Sequence, residues 1–142
     1  PESGSDTAFH PASHHGGRPE AVVDFTVINR YHVSMLPYLM DKLQGTMDGE
    51  KSLLEKTMIV YGSPMADGNL HNHRRCPLIV LGGANGKLKG GVHIKATDAT
   101  PMANAMLTLL HKLGVDDLET FGDSTGTLSF DAPDGAATDA ME

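Results

Sequence analysis

Residues 57–83 decide the expected fold, and they read Thr57-Met-Ile-Val-Tyr61-Gly-Ser-Pro-Met-Ala-Asp-Gly-Asn-Leu-His-Asn-His-Arg-Arg-Cys-Pro77-Leu-Ile-Val-Leu81-Gly-Gly83. Two short apolar runs, Thr57–Tyr61 and Pro77–Leu81, flank a polar loop. Continuous apolar runs of this length are typical of strands that are buried on both faces, as in parallel sheets. Open α/β sheets place their sites beyond the ends of such strands. The segment therefore predicts an α/β fold with a functional site in the loop.

A long amphipathic helix is expected on the N-terminal side of these strands. Apolar residues recur at three- and four-residue steps from Val22 to Leu43, which predicts a helix of about 25 residues. Pro19 supplies a favourable first turn, and the helix should end near Gln44. Pro37 lies inside the pattern and should kink the helix, because it removes one backbone hydrogen bond.

A second helix and further strands are expected on the C-terminal side. Pro101 opens an apolar periodic stretch that Gly114 closes, which predicts a helix. Short strands are expected at Gly90–Ile94 and Leu128–Phe130. The elements form part of an α/β sandwich with too few strands to complete it. We expect one domain over residues 1–130, the C-terminal portion of a longer protein, and a disordered acidic tail over residues 131–142.

The composition excludes several classes of function. The chain has 142 residues, 39% of them hydrophobic and 20% charged, and its net charge is −7 with histidine neutral. This charge argues against nucleic-acid binding through phosphate neutralisation. No apolar stretch is long enough to span a membrane. Cys76 is the single cysteine, so no internal disulfide can form.

The histidines are the strongest candidates for chemistry. There are eight of them, and His14, His15, His71 and His73 lie in loop-like segments. In an extended chain His71 and His73 project to the same side, so both could bind one zinc ion. His14 and His15 are adjacent, so at most one of them should reach the other pair, and His10 is a weaker candidate. The alternative is that these histidines form local hydrogen bonds or face water.

Two further polar residues of the loop could take part in catalysis. Ser63 follows a strand and could act as a nucleophile or contact a metal. It does not form a nucleophile elbow, because the second glycine is missing and Pro64 opposes the turn. Asp67 could orient a histidine or a metal ligand. The alternative for both residues is a purely structural role in a turn.

Taken together, these segments resemble a known family. The match covers about residues 9–130 and resembles the C-terminal part of the uncharacterised bacterial family called domain of unknown function 1552. It rests on Ser13–His15, Ile28–His32, Tyr61–Ser63, Asp67–His73, Pro77–Gly83 and Phe121–Gly126. Members of that family are longer and carry an export signal. The resemblance thus implies an exported protein, periplasmic or extracellular, whose N-terminal part is missing here.

The order of elements is also remotely similar to the C-terminal half of the alkaline phosphatase/sulfatase superfamily. That resemblance implies a three-layer sandwich with a mostly parallel sheet. By position, His15 or His14 would match a first ligand loop, Ser63 a strand end and His73 a last histidine ligand. Ser13 and Ser63 stand where acidic residues are expected, which weakens a two-metal site because carboxylates neutralise the cations.

Two functions remain open at this point. The first is a metal-dependent hydrolase of phosphate or sulfate esters, with zinc as the preferred metal, His15, His71, His73 and His14 as ligands, and Ser63 and Asp67 close to the reaction. The second is a non-catalytic binding or assembly module with an alkaline-phosphatase-like fold. Its partner would be its own missing N-terminal part or another protein.

Overall fold

The computed structural model describes residues 2–130, and the chain forms two compact units. The first unit comprises the residues up to Ser52 together with Tyr61–Ile79. The second comprises Leu53–Val60 together with the residues from Val80 onward. The expected acidic tail, residues 131–142, lies outside the described residues.

The first unit is built on the long helix. Helix α1 spans Phe9–Ser13 and helix α2 spans Pro19–Gln44, and the two helices pack together. The rings of Phe9 and Phe25 lie 5.4 Å apart between their centroids. The long helix is confirmed, with proline in its first turn and Pro37 in its interior. A hairpin of β1 (Met47–Asp48) and β2 (Lys51–Ser52) follows it.

The expected mostly parallel sheet of a three-layer, alkaline-phosphatase-like sandwich is wrong. Strands β3 (Ile59–Gly62) and β4 (Leu78–Leu81) form a two-stranded antiparallel sheet, and the hairpin is the other sheet among the described residues. A parallel pair needs a long crossover, which is usually a helix. The segment 63–77 contains no helix. Burial alternates along β3, where Val60 is exposed, so the apolar runs do not mark a sheet that is covered on both faces.

The second unit is organised around helix α4, which spans Met102–Lys112 and confirms the expected C-terminal helix. Helix α3 (Leu53–Lys56) packs against a 3-10 turn at Ala84–Gly86. The buried Asn104 accepts a hydrogen bond of 2.9 Å from the Thr125 N–H.

Neither of the two strands expected in this unit is present. Residues 90–94 are irregular. The Leu128 N–H donates to Thr108 Oγ1 at 2.9 Å, so this segment bonds to a helix rather than to a strand.

Among residues 2–130, few large apolar side chains are buried. The buried hydrophobic residues are Ala12, Ile28, Ala84, Ala105, Leu107 and Leu109. On α2, by contrast, Val23 is 62% exposed and Tyr38 is 61% exposed. Within residues 2–130, no helix has the length and apolar character needed to cross a membrane.

The closest backbone approach in the second unit gives a stability test. Gly82 has φ +91°, and a Cβ atom there would overlap the Thr57 carbonyl oxygen. Gly86 has φ +88° with no atom near the equivalent Cβ position. Gly82→Ala should lower the free energy of unfolding by about 3 kcal/mol, because it adds a steric overlap to the backbone strain. Gly86→Ala should lower it by about 1 kcal/mol, because it adds only backbone strain. Urea denaturation of both variants measures the difference, and equal losses would contradict the close approach.

Candidate functional site

The loop between β3 and β4 is folded back on itself. Asp67 and Asn72 form an antiparallel bridge, in which the Asn72 N–H donates to the Asp67 carbonyl oxygen at 3.3 Å. Asp67 Oδ1 accepts hydrogen bonds from the N–H groups of Asn69 at 2.9 Å and Leu70 at 3.2 Å. The Asp67 side chain therefore holds an Asx turn, which is the structural role in a turn given above as the alternative to catalysis.

This loop docks on the segment that follows α1. The Gly16 N–H donates to Asn69 Oδ1 at 2.8 Å, across 53 residues of sequence. Gly68 lies directly over Ser13, and a Cβ atom on Gly68 would stand 3.1 Å from the Ser13 Cβ. Docking brings two histidine-bearing segments side by side, one with His10 and His14 and the other with His71.

Three exposed histidines meet at this contact, and we refer to His10, His14 and His71 as the histidine cluster. His10 Nε2 and His14 Nε2 lie 3.0 Å apart, and the two ring centroids are separated by 5.0 Å. The edge of one ring meets the face of the other between His14 and His71, at a centroid distance of 4.9 Å and an interplanar angle of 85°. Two imidazole nitrogens thus face each other, with a third imidazole alongside.

The two histidines of the His-x-His pair have different partners. His71 has a left-handed backbone with φ +52°, so the chain is not extended there and the same-side rule does not apply. The His73 Nδ1–H donates to the Pro64 carbonyl oxygen at 2.7 Å, and the Cys76 thiol donates to the same oxygen. Since a carbonyl can only accept, Nδ1 of His73 carries the proton in the neutral ring, and Nε2 is the lone-pair nitrogen.

His15 is placed differently from the cluster. Its Nδ1 accepts a hydrogen bond of 3.1 Å from the Gly17 N–H, and its ring centroid lies 6.3 Å from that of Phe25. One ring nitrogen is therefore used to hold the turn into α2. Of the four histidines expected to bind metal, the structure brings His14 and His71 together, and it gives His15 and His73 backbone partners.

Ser63 lines a cavity of about 200 Å³ in the first unit, together with Asn29 and His32 of α2. Its Oγ accepts a hydrogen bond of 3.1 Å from the Met65 N–H. The His32 ring packs on Phe9, with centroids 5.2 Å apart. No sequence signal links residues 29 and 32 to residue 63, because only the fold places α2 beside this strand end.

Tyr31 lies next to His32 on α2, and their ring centroids are 6.1 Å apart. The Tyr31 hydroxyl donates to the Glu2 carboxylate at 2.8 Å. This hydrogen bond raises the pKa of the Tyr31 phenol, and desolvation and the negative charge of Glu2 act in the same direction. The Tyr31 hydroxyl therefore remains protonated, and a hydrogen-bond donor, through the neutral pH range.

Two of the candidate metal ligands have ring nitrogens that lie close together. Within residues 2–130, no three side chains of His, Cys, Asp or Glu are grouped so as to hold one metal ion. The pair is His10 and His14, and the sequence makes His10 a weaker candidate than His14. The sequence did carry a signal for it, since His10-Pro-Ala-Ser-His14 has the i, i+4 spacing that places two imidazoles on one side of a helical turn.

Comparisons with known proteins identified no relative of this chain. A scan against family models, a search of curated proteins and a search of solved structures each found no match. The resemblance of the motifs to domain of unknown function 1552 thus stays a prediction.

The loop contact can be tested through its longest-range hydrogen bond. Asn69→Ala removes the acceptor for the Gly16 N–H and should lower the free energy of unfolding by about 1 kcal/mol. It should also weaken the nuclear Overhauser effect between the His14 and His71 rings. Asn69→Asp keeps an acceptor oxygen and should preserve the ring contact. Asn72→Ala is a control, because the Asn72 side chain accepts only a local hydrogen bond, from the Arg74 N–H. An unchanged ring contact in Asn69→Ala would contradict this account of docking.

Proposed function

We propose that this protein binds a divalent first-row transition metal ion, zinc in the first instance, through the Nε2 atoms of His10 and His14. The observation that carries the proposal is the 3.0 Å separation of these two nitrogens. As they stand, the two rings share a hydrogen bond, and a metal ion would take the place of the bridging proton.

The separation suits coordination to one ion. With Zn–N bonds of about 2.0–2.1 Å, two ligand nitrogens stand about 2.9 Å apart at a 90° angle and about 3.3 Å apart at the tetrahedral angle. The distance between the two nitrogens therefore needs to change by only a few tenths of an ångström, while the rings turn so that both lone pairs point at the ion. Both rings must present a lone pair at Nε2. The acceptor ring of the shared hydrogen bond already does so, and the donor ring must carry its proton on Nδ1 instead.

The local fold prepares this pair. His10 is in α1 and His14 is the residue at its C-terminal cap, one turn later. The Ser13 Oγ donates to the His10 carbonyl oxygen at 2.7 Å, which ties the two ends of that turn together. The edge-to-face contact with the His71 ring restricts the orientation of the His14 ring. The pair is thus partly preorganised, and less conformational entropy is lost on binding.

Metal titration tests the proposal. One zinc ion per chain should bind, as measured by calorimetry on protein without a histidine tag. His10→Ala and His14→Ala should each weaken binding at least about tenfold, because chelation by two ligands is lost. His71→Ala should change the affinity less than about threefold, since a ring contact is weaker than a metal bond. Affinity should also fall as the pH is lowered, because only unprotonated imidazoles bind metal.

His111→Ala is the matched control, because the His111 Nε2–H donates a hydrogen bond to the Leu118 carbonyl oxygen within the second unit. Zinc at a hundredfold excess over its dissociation constant should stabilise the wild-type chain by about 2.7 kcal/mol. Binding that weakens equally in His14→Ala and His111→Ala would contradict the assignment, as would the absence of saturable binding.

A second candidate function is hydrolysis of phosphate or sulfate esters with the bound ion. It is favoured by the exposure of the pair, because two protein ligands leave coordination positions for water, as catalytic zinc sites do. Zinc-bound water has a pKa near 7 in such sites and supplies hydroxide at neutral pH.

The hydrolytic function has its own test. Zinc-loaded protein should release nitrophenol from p-nitrophenyl phosphate or p-nitrophenyl sulfate. The rate should fall to that of free zinc in His14→Ala and persist in His111→Ala, because the metal-bound water is lost with its ligand. Zinc binding without metal-dependent turnover of either ester would favour the non-catalytic binding module instead.

A further inference from the structure

A second site lies in the first unit, in the cavity beside Ser63. We infer that this cavity binds a small uncharged aromatic molecule with a hydroxyl group, that is, a phenol. Its volume of about 200 Å³ is below that of pockets for drug-sized ligands, which start at about 300 Å³. The occupant is therefore a molecule with a single ring.

The walls of the cavity come from two sides. Asn29, His32 and Val33 stand at positions i, i+3 and i+4 of α2, so they share one face of the helix. The segment Tyr61–Ser63 supplies the other wall, next to Pro77 and Ile79. Because the walls come from a helix and strand ends, the shape of the site is held by backbone hydrogen bonds rather than by a free loop.

The lining favours an uncharged ligand. It contains no Asp, Glu, Lys or Arg side chain. A charged ligand that entered would lose part of its hydration without gaining an opposite charge. Aromatic rings line the cavity as well, from Phe9 and Tyr61, and the His32 ring packs on Phe9. A planar ring would gain offset-stacked or edge-to-face contacts there.

Among the polar side chains of the lining, Asn29 and Ser63 indicate what the ligand should carry. The Asn29 amide nitrogen donates to the Phe25 carbonyl oxygen at 3.0 Å, which leaves the Asn29 Oδ1 as an acceptor. The Ser63 Oγ already accepts from the Met65 N–H, so its own hydrogen is the part that can still donate. A ligand group that both donates and accepts one hydrogen bond complements this pair, and a phenolic hydroxyl does both.

Fluorine NMR with 4-fluorophenol as the probe tests the inference on the full chain. The measurement is made with EDTA present, so its outcome is independent of the proposed metal site. We expect a saturable shift with a dissociation constant on the order of 1 mM, in keeping with a ligand of so few atoms. Fluorobenzene, which lacks the hydroxyl, and 4-fluorobenzoate, which is charged, should both bind at least about threefold more weakly.

Variants locate the binding in the cavity. Ser63→Ala should weaken 4-fluorophenol binding about three- to tenfold with little effect on folding, because it removes one hydroxyl. Val33→Phe should abolish binding by filling the space, and circular dichroism checks that this variant folds. Ser34→Ala is the matched control, because Ser34 lies on α2 outside the cavity, and its hydroxyl donates to the Tyr31 carbonyl oxygen.

Two results would overturn the inference. One is the absence of a saturable shift with 4-fluorophenol. The other is binding of fluorobenzene as tightly as 4-fluorophenol with no effect of Ser63→Ala, which would mean that the cavity is a crevice with no polar recognition.

Discussion

The hydrogen bond from the Gly16 N–H to Asn69 Oδ1 is the constraint on which the histidine cluster depends, because it holds the loop with His71 against the segment with His10 and His14. It joins two segments that are 53 residues apart, and both carry histidines. Gly68 makes the contact possible, because it lets the loop backbone approach Ser13. The Asx turn at Asp67 shapes the loop so that Asn69 reaches its donor. Backbone geometry, rather than a buried core, thus brings the imidazoles together.

The histidine cluster and the cavity share helix α1 but differ in chemistry. His10 belongs to the cluster, while its neighbour Phe9 lines the cavity and packs on His32. The cluster is exposed and offers lone pairs, which suits a metal ion with open coordination positions. The cavity has apolar walls and two hydrogen-bonding groups, which suits a small uncharged ligand. Asp67 and His15, both expected to take part in chemistry, instead form backbone hydrogen bonds that hold the surrounding turns.

The helices could be predicted from the sequence because their signals are local. The apolar period between Pro19 and Gln44 and the turn at Gly114 act within a few residues, and both helices are present. The sheet could not be predicted in the same way. An apolar run such as Ile59–Tyr61 fits a parallel or an antiparallel strand, and the connection decides between them. The folded-back loop around Asp67 makes β3 and β4 antiparallel.

The candidate site was predicted only in part, because its local sequence signals do not determine which distant segments meet. The sequence indicated the two histidine-bearing segments, and the structure brings His14 and His71 together. It could not indicate that His71 would have a left-handed backbone, or that His71 and His73 would contact different partners. Helix α1 has five residues, which is too short to show an apolar period, so the sequence did not predict a helix around His10. The four-residue spacing from His10 to His14 was its only signal.

The central claim is that one metal ion is held by the Nε2 atoms of His10 and His14. Long-range ¹H–¹⁵N NMR spectra of the histidine rings, recorded during a zinc titration, test it at the level of single atoms. We expect the Nε2 signals of His10 and His14 to move together to values typical of metal-bound nitrogen, while those of His15 and His111 stay in place. Zinc-dependent changes at other histidines, with the signals of His10 and His14 unmoved, would contradict it.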